Sequence, residues 1–309
     1  MKKLLLLLTI VLSIIGCGKK DEKINIGITQ IVEHSALDEV VQGFKQAFKD
    51  KGYDDTKVSI ELQNAQGDFG VAQTIANSFV QSKKDLVLAV STPSAQAMYN
   101  VTKDIPIIIS AVTDPASAGL VGENITGVSD MAPVAKQVEL IKTLLPNAKN
   151  IGVVYNTSEE NSLVLIDILK KESSKYGYTI KEKGVNNINE IGQALDVLLK
   201  EVDVLYTPTD NLIVSATPLV LEKAKENSIP VIGCIEDQIK QGALATETIS
   251  YKNCGYQAGE IAIKILNGEK PNNIPVQMPE NTVLMINEST MKNLNISLPD
   301  SLKERATIL

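Results

Sequence analysis

From residue 24 to residue 233, short apolar runs of strand length alternate with longer stretches whose apolar residues recur at helical spacing, and no other feature limits the fold as tightly. Ile24–Thr29 reads as a strand. Leu37–Lys51 reads as a helix, with Leu37, Val40, Val41, Phe44 and Phe48 on one face and Gly52 at its C-cap. Val58–Gln63, Asp85–Val90 and Pro106–Ser110 continue as strands, and Val71–Ser82 and Ser94–Val101 as helices. Asp85–Val90 and Pro106–Ser110 are runs of the kind buried on both faces of a parallel sheet. This order predicts an open α/β sheet.

After Asn124–Val128 the pattern starts again. Helices are expected over Val134–Leu145, Ser162–Tyr176, Ile188–Leu199 and Ile213–Asn227, and strands over Ile151–Tyr155, Thr179–Lys183, Val202–Thr207 and Pro230–Gly233. A strand opening at an Asp, then a helix, then Ile-Pro and another strand occurs once per half, at Asp85…Ile105-Pro106 and Asp203…Ile229-Pro230. The fold class is therefore α/β, two doubly wound parallel-sheet lobes, as 309 residues allow for two domains. Two such lobes enclose a cleft between the carboxyl ends of their strands, where open sheets place ligands.

The chain opens with a basic Met1–Lys3 and an apolar Leu4–Ile15, too short to span a bilayer as a mature helix and suited to the core of a secretory signal. It ends Ser13-Ile14-Ile15-Gly16-Cys17, similar to a bacterial lipoprotein box. Residues 1–16 are thus expected to be a signal peptide, Cys17 the lipidated residue, and residues 17–23 a polar tether holding the body at a membrane from outside the cytoplasm.

Lys plus Arg number 30 against 37 Asp plus Glu, a net charge of −7, which disfavours a general nucleic-acid binder. A single histidine, His34, excludes a zinc finger and any site needing two histidines, and no metal or cofactor site is expected. No glycine-rich phosphate loop is present, so nucleotides are disfavoured. With Cys17 modified, Cys234 and Cys254 remain; their pairing is left open, with buried free thiols the simpler state.

Six strand-end loops carry hydroxyl, amide or carboxylate groups: Gln30–Asp38 (with Glu33 and His34), Ser91–Ser94, Ala111–Pro115 (with Thr113 and Asp114), Asn156–Ser162, Pro208–Asn211 and Cys234–Asp237. Helix capping accounts for any one of them but not for six that converge. Ser91-Thr92, with Pro93 in the first helical turn, is suited to a carboxylate, and Asp210 and Glu236 to an ammonium group. An α-amino acid has both charges. His34 lacks a sequence-evident nucleophile and is expected to pack and hydrogen-bond in the cleft. Asp68 reads as a helix cap, while Phe69, Tyr99 and Tyr155 either face the pocket or fill the core.

The segments Val32–Asp38, Asn64–Asp68, Ser91–Gln96, Ala111–Pro115, Ala118–Val121, Asn124–Val128 and Pro208–Asn211 together resemble the substrate-binding lipoproteins of ABC transporters, in the tryptophan-binding (TrpX-like) subgroup. The resemblance implies a type I periplasmic-binding-protein fold with chain crossings near Gly127, Ser250 and Pro279. Lobe 1 would comprise 24–127 plus 251–279, with Cys254–Leu266 as its returning helix. Lobe 2 would comprise 128–250 plus 280–309, with Asn281–Asn287 as its returning strand. It also implies an aromatic or apolar amino acid as cargo, tryptophan or phenylalanine favoured, and a membrane permease with its ATPase as partners of a monomer. The expected mechanism is capture by Ser91 and Thr92, followed by hinge closure that brings Asn156, Asn161, Ser162, Asp210 and Glu236 onto the ligand. A sugar or nucleoside as cargo is the alternative, as is an enzyme on the same scaffold; the single histidine and the lack of a nucleophile elbow weigh against the enzyme.

Overall fold

The computed structural model describes residues 23–279 and 281–309. The signal segment, Cys17 and all of the tether but Lys23 lie outside the described residues. Strands β1 (Ile24–Gln30), β2 (Val58–Asn64), β3 (Leu86–Val90), β4 (Ile107–Val112) and β5 (Ile125–Ser129) form a wholly parallel sheet in the order β2-β1-β3-β4-β5. Helices α1 (Ser35–Asp50), α2 (Phe69–Gln81) and α3 (Thr92–Val101) connect its first four strands. Every residue of β3 and β4 is buried, as continuous apolar runs require once both faces are covered.

The second sheet has β6 (Asn150–Asn156), β7 (Thr179–Val185), β8 (Val204–Tyr206), β9 (Val231–Ile232), β10 (Ala245–Thr248), β11 (Val283–Ile286) and β12 (Ala306–Ile308), ordered β12-β11-β10-β9-β8-β6-β7. It is parallel except where β11 runs antiparallel to β10. Its helices are α4 (Val134–Leu144), α5 (Glu160–Ser174), α6 (Ile188–Leu198), α7 (Asn211–Ser215), α8 (Thr217–Glu226) and α9 (Glu236–Gln241), with α11 (Glu288–Asn293) and α12 (Asp300–Lys303) near the C-terminus. Between β10 and β11, α10 (Tyr251–Leu266) packs along α1. That packing is close: a Cβ on Gly255 would stand 2.0 Å from the Val40 carbonyl oxygen, and one on Gly43 2.0 Å from that of Lys252.

The internal likeness has a structural counterpart. Asp85 Oδ2 accepts the Asn25 amide at 2.7 Å, and Asp203 Oδ2 accepts the Asn150 amide at 2.8 Å. Each aspartate thus ties the start of the third strand of its lobe to that of the first. In both sheets the strand order reverses beside that first strand, between β1 and β3 and between β6 and β8. The loops after these four strands are where a doubly wound fold places its ligand.

The helix expected over Ile213–Asn227 is two helices broken at Ala216. Pro218 has no N–H to continue the ladder to Val214, and Thr217 Oγ1 donates to the Val214 carbonyl at 2.7 Å. The strand expected over Val202–Thr207 pairs only over Val204–Tyr206. Gln277 pairs with β5 through Ser129 N–H to its carbonyl and its own N–H to Gly127, both at 2.9 Å. Cys234 and Cys254 are free and buried.

Candidate functional site

The lobes meet at a narrow cavity of about 20 Å³, smaller than the clefts that usually hold small molecules. His34, Ala111 and Thr113 face it from the first lobe, Asp130 from the position directly after β5, and Asn161, Thr209, Asp210 and Asn211 from the second lobe. Val214, Cys234 and Ile235 of the second lobe join the apolar core of the first, which seals the two together.

The capping account can be tested loop by loop. Asp68 and Asp210 do cap: their Oδ1 atoms accept the amides of Val71 and Ile213, each at 2.9 Å. Ser91 does not. It occupies the N-cap position of α3 with φ +85°, and its hydroxyl makes no capping bond. The hydroxyls of Ser91, Thr92, Ser94 and Ser110 are all buried without a partner among the described residues. Ala111, at the end of β4, also has a positive φ, +55°. Strained non-glycine residues and orphaned hydroxyls together at a strand end mark a surface shaped for something other than its own stability.

Two carboxylates border the cavity. Asp130 accepts Thr113 Oγ1 and Tyr251 OH, both at 3.1 Å. Burial pushes its pKa up to about 6, against the pull of those two hydroxyls. Asp210 is fully buried and accepts Asn156 N–H and Ser162 Oγ at 2.6 Å besides its cap. Desolvation first, and then the charge of Glu159, holds it well above the usual carboxylate range. Among the described residues neither has a cationic partner.

Glu159 organises the second-lobe face. Its Oε2 accepts Asn161 Nδ2 at 3.0 Å, Asn211 Nδ2 at 2.5 Å and Asn211 N–H at 3.0 Å; its Oε1 accepts Asn156 Nδ2 at 3.1 Å and Leu212 N–H at 3.2 Å. Five donors thus meet the polar demand of this buried carboxylate.

Of the expected site residues, the fold brings His34, Thr113, Asn161 and Asp210 to the cavity and leaves the Ser91 and Thr92 hydroxyls buried at the adjacent strand end. Asn156 and Ser162 are turned to Glu159 and Asp210 instead. Asp114 accepts the Ala116 and Ser117 amides in its own turn, Glu33 is exposed, and Glu236 pairs with Lys240 at 2.7 Å. These groups have one thing in common: each has a polar partner nearer than the cavity or is exposed. Phe69 is 41% exposed and Tyr99 donates to the Val121 carbonyl, so neither lines the cavity. Asp130, Glu159, Thr209 and Asn211 were not singled out from the sequence. An acid directly after the buried strand Ile125–Ser129 was the available sign for Asp130. Among the described residues no group of three or more His, Cys, Asp or Glu side chains could hold a metal ion.

Residues 25–308 match the family described as ABC transporter substrate binding protein. A "Tyrosine-binding protein" from Clostridioides difficile (strain R20291) is 50% identical over 279 residues, covering 88% of this chain and 81% of the relative. The chain superposes on an ABC domain from Streptococcus pneumonia in complex with L-Trp with a TM-score of 0.90 at 34% identity, covering 93% of this chain and 99% of that one. A ligand-free, open structure of a substrate-binding protein with adhesive properties from Clostridium difficile gives only 0.70, despite 46% identity over 92% of this chain and 98% of that one. The chain thus superposes better on the L-Trp complex than on an open, ligand-free relative of higher identity. With its whole described body matched, the chain belongs to the ABC transporter substrate-binding protein family: it is an extracytoplasmic binding protein that serves a membrane transporter, and not an enzyme.

Proposed function

We propose that the chain captures an aromatic L-amino acid between its lobes, with the carboxylate at the Ser91–Thr92 corner and the ammonium group at Asp130 and Asp210. One observation carries this reading: the cavity between the lobes is bordered by two buried carboxylates with no cationic partner among the described residues, beside a strand end whose hydroxyls have none there either. A zwitterion supplies both missing charges, and contact with both lobes is what makes closure favourable. Asp130 is the principal ammonium seat, because Asp210 already accepts three hydrogen bonds. The names of the tyrosine-binding relative and the L-Trp complex support an aromatic side chain. Tyrosine, not among the cargoes favoured from the sequence, joins tryptophan as a candidate.

A thermal-shift panel of the twenty amino acids with sugars and nucleosides tests the reading. At a hundredfold excess over Kd an aromatic amino acid should stabilise the protein by about 2.7 kcal/mol, with sugars and nucleosides silent. A shift produced only by a sugar or nucleoside overturns it.

The finer topography belongs to the same reading: a monomer hinged near Gly127, Ser250 and Pro279 and anchored through lipid on Cys17. Cys17→Ala should move the protein from the membrane to the soluble fraction; retention in the membrane removes the anchor.

A further inference from the structure

Two acceptors in the cleft are left over once the ligand's charges are met. Asn161 Nδ2 donates to Glu159 Oε2 at 3.0 Å and to the Thr209 carbonyl at 2.9 Å. Its amide is therefore locked; the residue lines the cavity, and its Oδ1 is buried with no partner among the described residues. From the other lobe, the imidazole of His34 lies beside Asn211. Asn211 donates an Nδ2 hydrogen to Glu159 Oε2 at 2.5 Å. His34 Nδ1 is buried with no partner among the described residues, and with the ring proton on Nε2 it offers a lone pair.

Burial lowers the His34 pKa to about 4, against the opposing influence of Asn211, Asp38 and Asp237. The ring is thus neutral at ordinary pH. Both groups are neutral acceptors, one from each lobe, held in orientation by the same buried carboxylate. A neutral acceptor is a poor competitor for an ammonium ion that has two carboxylates within the same cavity. It is a good partner for a weakly polar hydrogen.

Building on the aromatic amino-acid reading, we propose that His34 Nδ1 and Asn161 Oδ1 recognise a polar hydrogen on the ligand's side chain, the phenolic O–H of tyrosine or the indole N–H of tryptophan, and so reject phenylalanine. Phenylalanine buries its ring equally well but leaves the acceptors desolvated and unpaired. Sites built to bond a substrate hydroxyl discriminate strongly against the analogue that lacks it. Closure completes the recognition, because the acceptors come from opposite lobes. Glu159 acts as a positioning residue, through the two amides it orients.

Calorimetric titration of the full body with L-tyrosine, L-tryptophan, L-phenylalanine and 4-fluoro-L-phenylalanine tests this. Tyrosine, tryptophan or both should bind at least about 100-fold more tightly than phenylalanine, with the fluoro analogue, similar in size to tyrosine but without the hydrogen, grouped with phenylalanine. His34→Phe and Asn161→Leu should each shrink that ratio by about tenfold or more. His34 is in a loop, so its variant keeps the test open if Asn161→Leu does not fold. Phenylalanine binding within threefold of both other ligands, or an unchanged ratio in a folded His34→Phe protein, overturns the proposal. Failure of all four ligands to bind would instead remove the aromatic amino-acid reading, and this proposal with it.

Discussion

Asp130→Asn should melt at a higher temperature than the wild type when empty, and should lose at least about 100-fold in amino-acid affinity. The two effects have one cause. Asp130 is buried with two hydroxyl donors and no cation, and its pKa is raised from 3.8 to about 6. The folded state therefore holds the proton more tightly than the unfolded state. The destabilisation is absent below pH 4, grows between pH 4 and 6, and is complete above pH 6. Two pH units correspond to a limit of about 3 kcal/mol, and about 2–4 °C per kcal/mol is typical of chains of 150–250 residues. An asparagine keeps one oxygen to accept from one hydroxyl, turns its amide N–H to the oxygen of the other, and removes the buried charge. Melting curves at pH 4 and pH 7.5 provide the check: the variant's advantage should appear only at the higher pH. The binding loss follows from leaving a buried ammonium group without its partner, a cost of about 2–5 kcal/mol. Equal melting temperatures at pH 7.5, or undiminished affinity, would contradict the assignment of Asp130.

Gly255→Ala should destabilise the protein by about 3 kcal/mol or prevent folding. The added methyl would lie 2.0 Å from the carbonyl oxygen of Val40 and 2.7 Å from its Cα and C atoms, all backbone that no side-chain rotation can move. Only a separation of α1 and α10 relieves the clash, and that separation opens the core around Phe44, Ala258 and Ala262. Urea denaturation reads the loss directly. Gly192→Ala, where a Cβ meets nothing within 4 Å, is the control and should change stability little. A Gly255→Ala protein as stable as the control would mean that the helices do not pack as described.

The alternation of strands and helices was legible because its periodicities are local. Ile26, Ile28, Leu86–Val90 and Ile107–Ile109 are apolar because the middle of a parallel sheet is covered on both sides, and a few consecutive residues suffice to show it. Local chemistry also explains the capping role of Asp68. The short elements β9, β10, α9, α11, α12 and β12 have two to six residues each, too few to display a period, and they exist because the rest of the sheet holds them. The break before Pro218 was visible in principle, but a continuous apolar pattern on both sides hid it.

The site divides along the same line. That the strand-end loops would meet in a cleft, and that Ser91, Thr92, His34, Asn161 and Asp210 would be among their polar groups, follows from residue type and from strand–helix order. Which of those groups stay free for a ligand does not. Asn156 and Ser162 look as available as Asn161, yet of the three only Asn161 keeps a buried oxygen without a partner among the described residues. Asp130 looked like part of a connection, and became a cavity carboxylate because Tyr251, 121 positions away, returns beside it. Local order in the chain determines secondary structure and the direction in which loops point, since both depend on neighbours a few residues apart. Hydrogen-bond satisfaction is settled among loops that lie 48 to 121 residues apart, so the free acceptors and the unpaired charges become visible only once those loops are brought together.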